Sequence, residues 1–247
     1  MVGLDYFEDA RVLVTVDLSQ PGWDNLEPVD LLSSVDVVLL GLYQITDQVS
    51  PEQARDNFED EAEQRLARLV DRFRHAGVLV DSKLVFSVDF AETIDRVADE
   101  ENCNAILTWN EKKSFERIGV FLHYQKDWEN IMNSVAALMF DEDREVELVT
   151  FYESDNEERN FDKLKTILDV ERDYLVDRGL DPEQVSIRIE VTEDPEESVL
   201  KAADEYDAVV MGETEPSITS TIFGTFHEKV QNNSRGPLLI VRYPHED

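Results

Sequence analysis

Asp194-Pro-Glu-Glu-Ser-Val-Leu-Lys-Ala-Ala-Asp-Glu205 repeats Asp89-Phe-Ala-Glu-Thr-Ile-Asp-Arg-Val-Ala-Asp-Glu100, and this pair decides the fold. Each segment opens on an acid and carries apolar residues at i, i+3 or i+4 behind it, the pattern of an amphipathic helix. Each then runs into a short apolar stretch, Ala105-Ile-Leu-Thr108 after the first and Ala208-Val-Val-Met211 after the second. A short, wholly apolar run after a helix fits a strand buried on both faces of a parallel sheet. Upstream, Arg11-Val-Leu-Val-Thr-Val-Asp17 is matched by Arg117-Ile-Gly-Val-Phe-Leu-His123. The spacing between the copies drifts only slightly, so the chain reads as one βαβ unit present twice.

The remaining elements fill in between these anchors. Strands are expected at 36–41 and 146–152, each followed by a long amphipathic helix. The first helix opens with Ser50-Pro51-Glu52-Gln53: an N-cap, a proline at the first helical position and a Gln at the capping-box position. Its apolar stripe is Phe58, Ala62, Leu66, Leu69 and Phe73, and Gly77 stops it as a left-handed cap. The second helix shows Phe161, Leu164, Leu168 and Leu175, with Gly179 in the same role. Strands at 78–85 and 185–191 follow. Strands alternating with helices imply parallel, doubly wound sheets.

The two copies are unequal. After 208–211 the second continues through a loop, a helix ending near Asn232 or Asn233, and a strand Leu238-Leu-Ile-Val241. In the first, only 110–116 separates the fourth strand from the next copy, which leaves no room for those parts. Residues 18–35, with Pro21, Gly22 and Pro28, admit only a short helix. The expected division is therefore 1–113 for a trimmed N-terminal unit and 114–247 for a complete C-terminal one.

Charge separates classes of function. The net charge is −33, from 56 acidic and 23 basic residues, and acids are spread among Phe, Leu, Val and Tyr rather than gathered in a tail. Such a surface repels itself in dilute buffer and is relieved by concentrated salt, which marks a halophile cytoplasm. Nucleic-acid binding is disfavoured because clustered Lys and Arg are lacking. No apolar run reaches the length of a membrane span, and Asp5, Glu8 and Asp9 stand where a signal peptide would be basic. Cys103 is the only cysteine, which rules out an internal disulfide and reads as a buried structural thiol. His75, His123, His227 and His245 lack metal-ligand spacing, and His227 is expected on the exposed side of the last helix. Trp23, Trp109 and Trp128 sit near element boundaries, where packing explains them.

One segment has the place and composition for ligand chemistry: Met211-Gly-Glu-Thr-Glu-Pro-Ser-Ile-Thr-Ser-Thr-Ile-Phe-Gly-Thr-Phe-His-Glu-Lys-Val230. It runs from the C-terminal end of a strand to a helix, where open α/β sheets bind ligands and helix amides favour phosphate. Ser217, Thr219, Ser220 and Thr221 suit helix capping or phosphate contact. Here the chain resembles the universal stress protein family, of the tandem haloarchaeal type, whose loop follows G-x2-G-x9-G-[S/T] and in many members binds ATP. Gly212 matches the first glycine, Gly224 and Thr225 the last glycine and hydroxyl, and Glu228-Lys229-Val230 continues the family's helix. Glu215 replaces the middle glycine, and the span from Gly212 to Gly224 is one residue short. A carboxylate and a Cβ at that point oppose a polyphosphate.

The resemblance implies two Rossmann-like, adenine nucleotide alpha hydrolase-like units, with strand order 3-2-1-4-5 in the complete copy. It implies that a nucleotide, if bound, meets Gly212, Glu213, Gly224, Thr225, Phe226, Leu122 and His123. The family's first strand ends in an Asp that meets adenosine; Asp17 matches it in copy one, whereas copy two has His123. It further implies a non-catalytic stress-response or regulatory role, with an ATP-binding, at most weakly hydrolysing sensor and a regulatory partner of a membrane transporter as the alternatives. A homodimer through Leu238–Val241 is the expected assembly, because family members often pair through their last strands.

Overall fold

The computed structural model describes residues 10–25, 32, 35–108, 116–122, 128–138, 144–153, 157–213, 225–234 and 236–242. The chain forms two compact α/β units. The first contains β1 (Arg11–Asp17), a 3-10 turn (Trp23–Asn25), β2 (Asp36–Gln44), α1 (Pro51–His75), β3 (Val80–Ser87), α2 (Phe90–Glu100) and β4 (Ala105–Thr108). All its strands are parallel, in the order β3-β2-β1-β4. The second unit contains β5 (Arg117–Phe121), α3 (Trp128–Leu138), β6 (Glu145–Glu153), α4 (Glu157–Asp177), β7 (Val185–Thr192), α5 (Pro195–Ala202), β8 (Ala208–Gly212), α6 (Thr225–Asn233) and β9 (Leu238–Val241). Its parallel order is β7-β6-β5-β8-β9, the expected 3-2-1-4-5. The division expected at 113/114 falls outside the described residues.

Local chemistry explains where the elements start and stop. Ser50 Oγ accepts the Gln53 amide at 3.2 Å while the Gln53 side chain accepts the Ser50 amide, closing the capping box that begins α1. At its other end Gly77 sits at φ +84°, with Gly77 N–H donating to Arg74 O and Val78 N–H to Phe73 O. α4 ends identically: Gly179 is at φ +107°, its N–H donates to Val176 O, and Leu180 N–H donates to Leu175 O. Both are Schellman caps, which require a left-handed residue after the last turn. Aligning the two caps pairs Leu66 with Leu168, Phe73 with Leu175, and Leu69 with Glu171.

The repeat extends to single hydrogen bonds. Asp89 Oδ1 accepts the Glu92 amide at 3.0 Å at the start of α2, and Asp194 Oδ1 accepts the Glu197 amide at 3.0 Å at the start of α5. Asn104 accepts from the Arg11 amide and Asp207 from the Arg117 amide, tying the start of β4 to β1 and of β8 to β5. Phe58 and Phe161, expected on the core stripes of α1 and α4, are both 40% exposed; Phe58 lies stacked on Tyr43 at 5.3 Å. Cys103 is buried, as its isolation suggests.

Helix α3 is an element that the periodicity of the sequence does not reveal. In the first unit Trp23 lies under the guanidinium groups of Arg65 and Arg68, at 5.8 and 5.4 Å, and Arg72 donates to Asp24 O. In the second, Trp128 at the start of α3 meets the Tyr174 ring edge-on at 5.1 Å. A tryptophan after the first strand thus packs against the long helix in both copies, with different partners.

Candidate functional site

The second unit places its ligand-side elements at the C-terminal ends of β5 and β8 and the N-terminus of α6. Gly212 is the last residue of β8, pairing with Val241 of β9. Glu213 leaves the strand with its N–H donating to Val241 O at 2.8 Å, and its side chain is only 2% exposed. Arg242, just beyond β9, is similarly enclosed at 6%, and its Nε lies 4.0 Å from Glu213 Oε2. That separation makes a charge pair rather than a hydrogen bond. Two charges removed from water are tolerated only when they face one another.

His227 departs from the sequence expectation. Instead of lying on the exposed side of α6 it is fully buried, its Nε2 3.3 Å from Gly212 O. The cause is its register: His227 and Val230, at i and i+3, form the buried face of α6, and Ser234, just past the helix end at i+7, is buried on the same side. Phe226 is half-buried, with its ring 6.3 Å from that of His227. Gly212, Glu213, His227 and Arg242 are therefore one cluster. Neither Arg242 nor an inward His227 is among the sequence-derived site residues, although the spacing to Val230 and the position after an apolar strand are both readable.

Leu122 follows β5 and is buried, its N–H donating to Val149 O and its carbonyl accepting from Thr150 Oγ1, each at 2.8 Å. Both its backbone groups are thus engaged by β6. His123, Gly224, Glu215 and the hydroxyl run 217–221 lie outside the described residues, and Thr225 is placed only as the first residue of α6. In the first unit Asp17 ends β1, and its Oδ1 accepts from Ser19 N–H at 2.8 Å and Ser19 Oγ–H at 2.6 Å. That carboxylate is thus held by its own turn.

The site is a strand exit in an open, doubly wound parallel sheet, with a helix beginning across from it. No family model and no curated protein matches this chain. Solved structures do. A universal stress protein from Archaeoglobus fulgidus DSM 4304 aligns over 96% of this chain and 97% of its own, at 14% identity and a TM-score of 0.64. A chain assigned to the universal stress proteins from Pseudomonas aeruginosa UCBPP-PA14 covers 95% and 94%, at 12% identity and a TM-score of 0.54. A protein of unknown function from Pseudomonas aeruginosa PAO1 covers 95% and 93%, at 12% identity and 0.50. At such identities the likeness establishes the fold: this chain has the fold of universal stress proteins over nearly its whole length. No described helix is long and apolar enough to cross a membrane.

Proposed function

We propose that the protein is a non-catalytic, universal-stress-type regulatory protein of a salt-rich cytoplasm, acting without bound ATP. One observation carries this reading: the exit of β8 is furnished with the chain's own buried ionic side chains, Glu213 against Arg242, with His227 on Gly212 O. A carboxylate already seated at the strand end repels a polyphosphate at short range and low dielectric. The cation that would answer a phosphate faces that carboxylate instead.

A second reading, an ATP sensor, is favoured by α6, which begins at Thr225 and whose first turn lies beside the same exit through His227 on Gly212 O, since helix N-termini favour phosphate. Thermal unfolding in molar KCl with and without millimolar ATP and magnesium separates the two, because a ligand of the native state raises the midpoint. An unchanged midpoint is the expected result. A clear rise that disappears in the Gly212→Val variant overturns the nucleotide-free reading.

A further inference from the structure

Glu171 interrupts the core stripe of α4. Among its described side chains the buried positions are Leu164, Leu168, Glu171 and Leu175, and Glu171 is 4% exposed. Its Oε2 is buried with no hydrogen-bond partner. The equivalent residue in the first unit, fixed by the two identical Schellman caps, is Leu69, which is fully buried. A carboxylate has thus been placed where the sister unit holds a leucine.

Among the described residues, nothing charged faces it. α4 packs on β7 and on α3. On β7, Arg188 reaches Tyr206 and Glu205 on the opposite face of the sheet, so the alternating Ser186, Arg188 and Glu190 point away from α4. The face left for α4 carries Val185, Ile187, Ile189 and Val191, and on β6 the residues in register with them are Val146, Leu148, Thr150 and the neutral, buried Tyr152. The only charged residue of α3 is Glu129, which is exposed. On α4 itself Arg172 pairs with Asp169 and Asp173, while Tyr174 Oη and Arg178 Nε both donate to Asn133 Oδ1, at 2.9 and 3.0 Å.

We propose that Glu171 is a proton-sensing residue: α4 seats fully on its sheet and on α3 while this carboxyl is neutral, and loosens when it ionises. An isolated buried charge is costly, and rotating the helix outward is the direct way to hydrate it. This device is independent of what binds at the β8 exit.

The test is amide hydrogen exchange along α4 in molar KCl, compared between the native chain and Glu171→Gln, as protection factors from pH 5 to pH 8. Burial raises the Glu171 carboxyl from 4.5 to about 7. The native state therefore holds a proton that the opened state releases, and opening becomes easier as pH rises from 4.5 to about 7, then levels off. Protection in the native chain is expected to fall roughly 40-fold between pH 5 and pH 7 relative to Glu171→Gln. Glu171→Leu, the residue of the sister unit, provides the second comparison and keeps protection high at pH 8. Equal pH dependence in all three chains overturns the proposal, as does a Glu171→Leu chain less protected than the native one at pH 8.

Discussion

Tyr206 shows how much single residues decide in the second unit. It is fully buried, its ring edge-on to Phe121 at 5.6 Å and beneath the Arg117 guanidinium at 5.0 Å. Its hydroxyl donates to Glu147 Oε2 at 2.5 Å, and burial together with that carboxylate pushes the phenol well above its ordinary range. The ring fits because Gly119 has no side chain: a Cβ there would stand 2.7 Å from Tyr206 Cδ2. Gly119→Ala is expected to cost about 1–3 kcal/mol through a forced shift of the ring. Denaturant titration in molar KCl checks it, and an unchanged midpoint would show that the ring moves freely. Glu171 makes stability depend on pH. A carboxyl raised in the folded state favours folding at low pH and loses that contribution as pH climbs from 4.5 to about 7. Glu171→Leu should therefore stabilise the chain by about 2–3 kcal/mol at pH 8, and by less at pH 5. Glu171 was not legible in the sequence, because one more glutamate in so acidic a helix carries no signal until its neighbours are known.

The elements behave as two castings of one pattern. Asp89 and Asp194 cap their helices through bonds of the same length, 3.0 Å, so Asp89→Ala and Asp194→Ala should each cost about 1 kcal/mol. Because the sites lie in different units, the double variant should show a nearly additive loss in the same titration. Gly77→Ala and Gly179→Ala test the other helix ends. A Cβ at either position meets no atom within 4 Å, so any loss comes from the positive φ alone, on the order of 1 kcal/mol. The caps were readable because they depend on residues close in the chain. α3 was not, because Trp128 finds its partner, Tyr174, only once α4 lies beside it.

At the scale of the whole molecule, the net charge predicts how stability responds to salt. With a net charge of −33, stability should climb steeply as KCl rises from about 0.1 M, where screening extends ~10 Å, to about 1 M, where it extends ~3 Å. Chemical denaturation by urea at graded KCl measures this, and a flat response would show that the acidic surface does not strain the fold. The duplication, the parallel sheets, their strand order through family resemblance, and the helix caps are all legible in the amino-acid sequence. These rest on periodicity and on contacts between near neighbours in the chain. The interior was decided by tertiary structure alone: that His227 turns inward onto Gly212 O, that Arg242 faces Glu213, and that Glu171 takes the place of a leucine. Burial of a polar side chain is set by which face its neighbours cover, and that is fixed only when strands distant in the chain come together.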